Sequence, residues 1–491
     1  MPRVIFGIAL LQFGMLVVGL VRGKTLSLLF GPDGLGLLGA YDQLIVVLTQ
    51  LGALGLPFAA MTVMSAATTS GRSAFNATFS RFLAIMTVLA IATTVTALVI
   101  SFAWPLAFGQ GLGKDLVLLR LAVLGIGPLM MTVFIAQTLV ASQAPAEAAL
   151  FGFVSATLLT GAAIAGSLIN GLHGLYTATA FAGYGFVAAA LIYLKLRRGL
   201  RLWPRRAAGS LLRCSGDPVV KTAFSIFCVL VGMSGSLLGA RLLVLSELGE
   251  TPAGLLQSAL AITFSVGSVV AAIIGIQLAP SINRNIPVVT KLNMTGDALG
   301  YVTLLLCLGA IPIMLFPQST LHLLYSRGFV GAATTLILCL FWQVVYQVLT
   351  IFQQLMISLG ASLSSAAYLV TGFVASVVAI KLLIPSLGLI AAPLGLLCGA
   401  SASLVFHAFH LWRAHRFHVA RAPCIRVLVI GTVAVVSAFV LSLPSEFTVA
   451  GSLMRLALAV IAVLAAIFAG DRSERKSMMV SLFRTKSTNL L

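Results

Sequence analysis

The feature that most constrains this chain is a succession of apolar runs of about 20 residues or more, broken only by short polar or basic segments. A helix of that length crosses about 30 Å of hydrocarbon, whereas a barrel strand needs only about 10 alternating residues. Lipid admits only these two solutions, because every backbone amide there needs an internal partner. With 60% of its 491 residues hydrophobic and 8% charged, the chain reads as an all-α polytopic membrane protein. Fourteen helices are expected, at about 4–30, 37–66, 81–105, 115–140, 148–171, 174–194, 222–248, 253–280, 291–317, 330–358, 363–384, 388–412, 427–444 and 450–470. The first run passes into Arg22 and Lys24 without an A-x-A-like cleavage site, so it is read as helix 1.

An even number of helices puts both termini on one side. If that side is the cytoplasm, its loops and termini carry 22 of the 30 Lys and Arg residues, eight of them between Lys195 and Lys221. Lys114 and Arg327 fall in external loops, and the other cations lie within spans. The positive-inside rule therefore predicts cytoplasmic termini. The formal charge of +19 is thereby a topological signal resting on membrane lipids, and no nucleic-acid partner is expected.

A repeat divides the chain. GPDGLGLLGAYDQL at 31–44 aligns with GETPAGLLQSALAI at 249–262, an offset of 218 residues. Each segment follows a cation in the preceding helix and precedes a Gly- and Ala-rich helix. The expected organisation is an N-lobe at 1–194 (helices 1–6), a basic linker at 195–221 and a C-lobe at 222–412 (helices 7–12). A basic loop at 413–426, two extra helices at 427–470 and a cytoplasmic tail at 471–491 complete it. The lobes are expected to be related by a pseudo-two-fold axis along the membrane normal, a plan common among secondary transporters.

Charge within a span costs about 2.5–3.5 kcal/mol on insertion scales, so it is a functional-site hypothesis by default. In helix 1, Gln12, Gly19, Gly23 and Ser27 share a narrow face, flanked on opposite sides by Arg22 and Lys24. Both cations can snorkel to headgroups or reach round to an aqueous cavity. Asp42 in helix 2 shares its face with Thr49, Ala53 and Ala60, and is either a structural ion pair or a coupling charge. Arg241 in helix 7 repeats the helix-1 cation, with Glu247 and Glu250 near it in sequence. Helix 10 carries a polar stripe of Gln343, Gln347, Thr350 and Gln354, with Tyr346 and Gln353 beside it. These amides are either interhelical glue or a wall that hydrogen-bonds sugar hydroxyls. Arg120, Asp297, Lys381 and Arg455 lie near helix ends and are read as snorkelling or paired. The six cysteines show no CxxC spacing, the histidines are scattered, and no nucleophile elbow, phosphate loop or HExxH occurs. Neither a metal site, a cofactor nor an enzyme is expected.

The run GKTLSLLFGPDGLGLLGAYDQLIVVLTQLGALG resembles the first-helix signature of O-antigen and enterobacterial-common-antigen flippases. These form the polysaccharide-transport branch of the multidrug/oligosaccharidyl-lipid/polysaccharide exporter superfamily. The resemblance implies two six-helix bundles around a central cavity and alternating access in a bacterial inner membrane. It implies transfer of an undecaprenyl-pyrophosphate-linked oligosaccharide from the cytoplasmic to the periplasmic leaflet, with glycan polymerase or chain-length proteins as further partners. Lys24 carries over most directly, and Arg22 and Arg241 match cavity cations of related flippases. Fourteen helices, rather than twelve, resemble the peptidoglycan lipid II flippases, so lipid II is an alternative cargo. Those proteins usually carry arginines in helix 2, where this chain has only Asp42. A multidrug-cation antiporter would instead want acidic cavity residues, and a glycan polymerase a long external loop.

Overall fold

The structure is a computed structural model that describes residues 2–69, 71–103, 115–202, 218–274, 278, 282, 286–440 and 448–469. Lys114, Arg284, most of the basic linker and the tail lie outside them. Ten described segments are long and apolar enough to cross a membrane. Three of these are two helices folded back on each other. In a straight helix Arg22 and Asp42 would sit about 30 Å apart, yet their side chains meet at 3.0 Å. Glu147 likewise holds Arg198, and Ser365 lies 2.9 Å from His407. With Glu250–Ile273, the described long helices number fourteen, and this is a multi-pass membrane protein.

In chain order they are α1 (2–30), α2 (32–69), α3 (Arg72–Ala103), α4 (116–141), α5 (145–169), α6 (172–198) and α7 (Pro218–Leu248). Then follow α8 (Glu250–Ile273), α9 (Val288–Leu315), α10 (Ala333–Ser358), α11 (Ser362–Leu387), α12 (Ala391–His415), α13 (Arg421–Val440) and α14 (Val449–Phe468). The fold-back points are chemically determined. At Gly31 φ is 63°, a conformation open to glycine, and Pro32 then starts α2 where its missing N–H costs nothing. The repeat reappears in the backbone: Gly249, 218 residues on from Gly31, also has positive φ. Gly171, between α5 and α6, and Gly388, between α11 and α12, form a second positive-φ pair, 217 residues apart.

Boundaries differ from expectation at several places, two of which have a clear cause in the packing. The third helix begins at Arg72 rather than at 81, because Phe75, Phe79 and Leu83 bury one face of an amphipathic extension. The second helix is broken at Leu54 and Gly55, whose φ values are 51° and 70°. A Cβ on Gly55 would press within 2.9 Å of the Phe227 amide, so the break lets α2 approach α7 closely.

The residues fall into two compact units, 3–254 and 255 onward. In the first, the starts of α2 and α8 meet through repeat-equivalent positions. Thr251 donates its hydroxyl to Asp33, and Gly36 lies against Gly254, both pairs separated by 218 residues. In the second unit, α11 and α12 cross on small residues. A Cβ on Gly372 would come within 2.6 Å of the Gly399 carbonyl, and Ser403 donates to the Tyr368 carbonyl at 2.8 Å.

Two arginines read from sequence as loop or snorkelling residues are core residues here. Arg426, expected in the basic loop, lies inside α13 and is fully buried. Its guanidinium donates to the carbonyls of Gly300 on α9 at 2.8 Å and Ala466 on α14 at 3.0 Å. Arg455 of α14, 1% exposed, donates to the Leu315 carbonyl of α9 at 3.0 Å. Together they pin the two extra helices to α9. Lys291 does similar work, donating from the first turn of α9 to the Ser358 carbonyl at 2.9 Å.

Candidate functional site

Within the first unit, α2 holds two of the cations that lie inside its spans, Arg22 and Arg241. Asp42 and Gln43 are consecutive on α2, so their side chains diverge by about 100° and reach different neighbours. Asp42 accepts from Arg22 of α1 at 3.0 Å through one oxygen, and from the Tyr176 hydroxyl of α6 at 3.1 Å through the other. Gln43 accepts from the Arg241 guanidinium of α7 and donates to the Ser234 carbonyl at 3.1 Å. One level of α2 therefore holds two arginines, one by an acid and one by an amide.

The two arginines differ in setting. The Arg22 and Asp42 side chains are 37% and 33% exposed, so their pair is partly open to its surroundings. Arg241 is only 7% exposed. Its bond to the Gln43 side chain, a neutral amide, orients the guanidinium. Lys24, half-buried, lies two residues beyond Arg22, and its carbonyl accepts from the Ser27 hydroxyl at 2.8 Å. Along the rest of that face Gln12 and Gly19 are exposed while Ser27 is buried.

Tyr176 and Gln43 were not singled out from sequence. Tyr176 is 3% exposed and meets the Tyr41 ring edge-on at 5.9 Å. Gln43 could have been found as a polar residue within an apolar run, on the turn that carries Asp42. Arg120, expected to snorkel or pair, stacks its guanidinium 3.7 Å above the Phe102 ring.

The helix-10 stripe is divided. Gln343 and Gln347 are 2% and 3% exposed and face Gly267 of α8, to whose carbonyl Gln347 donates at 3.2 Å. A Cβ at Gly267 would press on both amides, so glycine there makes room for them. The side-chain carbonyl oxygens of Gln343 and Gln347 are buried with no protein partner. Gln354 is half-exposed, two turns further along, and Thr350 bonds the Tyr346 carbonyl of its own helix.

No family model matches the chain, and no curated protein matches it. Solved structures do. A structure described as lipid II flippase MurJ in an inward closed conformation superposes with a TM-score of 0.70 at 11% identity, covering 97% of this chain and 99% of that one. An inward-facing multidrug-resistance MATE transporter of the MOP superfamily gives 0.56 at 15% identity, covering 87% and 95%. A MOP-superfamily transporter from Pyrococcus furiosus, described as having a binding pocket of reversed polarity, gives 0.54 at 15%, covering 87% and 96%.

The chain has a MurJ- and MATE-like fold. The MurJ match leaves too little of the chain uncovered to omit α13 and α14.

Proposed function

We propose that the protein is a transporter rather than an enzyme. In this reading it is a flippase that moves an undecaprenyl-pyrophosphate-linked oligosaccharide from the cytoplasmic to the periplasmic leaflet by alternating access. The observation that carries this reading is the set of cations inside the first unit's spans, two of them held in place by α2. A pyrophosphate leaving water for a low-dielectric passage must be met by positive charge. Arg22, Lys24 and Arg241 supply it, with Asp42 holding Arg22 ready and exchanging it for cargo. Gln354 offers an amide of the kind sugar hydroxyls need, and the buried Gln343 and Gln347 earlier on the same helix carry side-chain carbonyls with no partner among the described residues. A cation antiporter would want the opposite polarity.

Lipid II is the second reading, favoured by the near-complete match to MurJ, which takes in the two extra helices. Depleting the protein and identifying the lipid-linked glycan that accumulates on the inner leaflet tests both. An O-antigen-type oligosaccharide supports the first, and lipid II the second. Accumulation of neither, with export unchanged, overturns the flippase reading. Topology is tested separately, by labelling from outside the cell a cysteine placed near Ala208, which is expected to stay unreacted.

A further inference from the structure

A cleft of about 930 Å³ lies in the second unit. One wall is α9, with Asn293, Asp297 and Tyr301; the other is the turn from α12 into α13, with Arg416, His418 and Arg421. Gly300 lines it too, and the buried Arg426 guanidinium donates to the Gly300 carbonyl from behind. Three arginines and the N-terminal end of α13 thus face or back a space that, among the described residues, holds one carboxylate. Arg416 is positioned by the fold: it takes a left-handed conformation, φ 52°, at the end of α12 and lies 5.7 Å from the Trp412 ring.

The surroundings say what kind of anion fits. Trp412, an aromatic suited to the membrane interface, is 44% exposed beside the turn. On the first turns of α13 below the cleft, Ile425 and Leu428 are 42% and 68% exposed, a surface for hydrocarbon. We propose that this cleft binds the phosphate headgroup of an anionic phospholipid, with the acyl chains lying along α13. The phosphodiester accepts from Arg416 and Arg421, and the headgroup hydroxyls meet Asn293 and Tyr301. Such a lipid is a bound component of the protein, not its cargo, so the proposal is independent of which glycan is carried.

The test uses the purified full chain in neutral detergent, titrated with short-chain phosphatidylglycerol, phosphatidylcholine or inorganic phosphate, and read by thermal shift and native mass spectrometry. Phosphatidylglycerol is expected to give a saturable upward shift and a bound mass. Phosphatidylcholine and phosphate are expected to give little. Arg416→Asn, which suits the left-handed backbone, and Arg421→Gln should each weaken binding about tenfold, the loss a charge-assisted hydrogen bond implies. Asp297→Asn keeps both arginines and should bind more tightly, which guards against a misfolded arginine variant being read as lost binding. Equal binding of phosphatidylcholine, a full shift with phosphate alone, or unchanged affinity across all three variants overturns the proposal.

Discussion

The Arg22–Asp42 pair can be asked directly whether it serves structure or transport. At 3.0 Å the gross Coulomb attraction is about 5 kcal/mol in an effective dielectric of about 20. Both side chains are about a third exposed, and ion pairs open to solvent retain only about 0.2–1 kcal/mol. The pair should therefore contribute no more than about 1 kcal/mol to stability, and Asp42→Asn keeps the Tyr176 bond because the amide oxygen still accepts. Arg22→Gln and Asp42→Asn should each lower the melting temperature by a few degrees at most. The double variant should melt near the singles, giving a coupling energy of about 1 kcal/mol or less. Export of lipid-linked glycan should fail in Arg22→Gln and fail equally in the double variant, because the cation itself is what the pyrophosphate meets. Restored export in the double variant would refute the reasoning, since it would show that the charges only need to cancel.

Other outcomes follow from the same geometry. Arg241→Ala strands the Gln43 side-chain oxygen in a buried site, so it should cost about 1–3 kcal/mol and abolish export, while Arg241→Lys should recover part of both. Gly254→Ala puts a methyl group against the Pro32 carbonyl and should cost about 1–3 kcal/mol by overpacking. Gly19→Ala meets nothing within 4 Å and serves as its neutral control. Gln347→Ala frees the Gly267 carbonyl and should lower the melting temperature, whereas Gln354→Ala should leave melting unchanged and reduce export. The reverse pattern would mean that the recognition face lies at Gln343 and Gln347 instead.

The fold was largely legible because bilayer thickness acts on every segment alike. Apolar runs gave the helix count, and the Gly-Pro-Asp-Gly turn marked its own position. The break at Leu54 was not legible: LGALG carries no proline, and the kink exists because α7 crosses there. The site was half legible. A helical wheel identifies the face on which Asp42 lies but not the neighbour across from it, so Tyr176 stayed hidden until α6 was in place. Arg426 reads as a loop residue because its neighbours are basic, and sequence does not reveal two carbonyl-bearing helices, α9 and α14, converging on it.

Those buried arginines also show why charge inside a span is by itself an incomplete guide. Arg426 and Arg455 bond backbone carbonyls on other helices. Such acceptors cannot rotate away, and a ligand could displace them only by moving whole helices. Arg22 and Arg241 bond side chains, an acid and an amide, each of which can turn about its own torsions. A cation held by a side chain can exchange that partner for a passing phosphate at the cost of one rotamer change, while a cation held by carbonyls is committed to the fold. On that criterion the second unit's buried arginines are fasteners for α13 and α14. The same criterion makes Arg22 and Arg241 the candidates for working charges in the proposed transport, since one turn of α2 holds the first by an acid and the second by an amide.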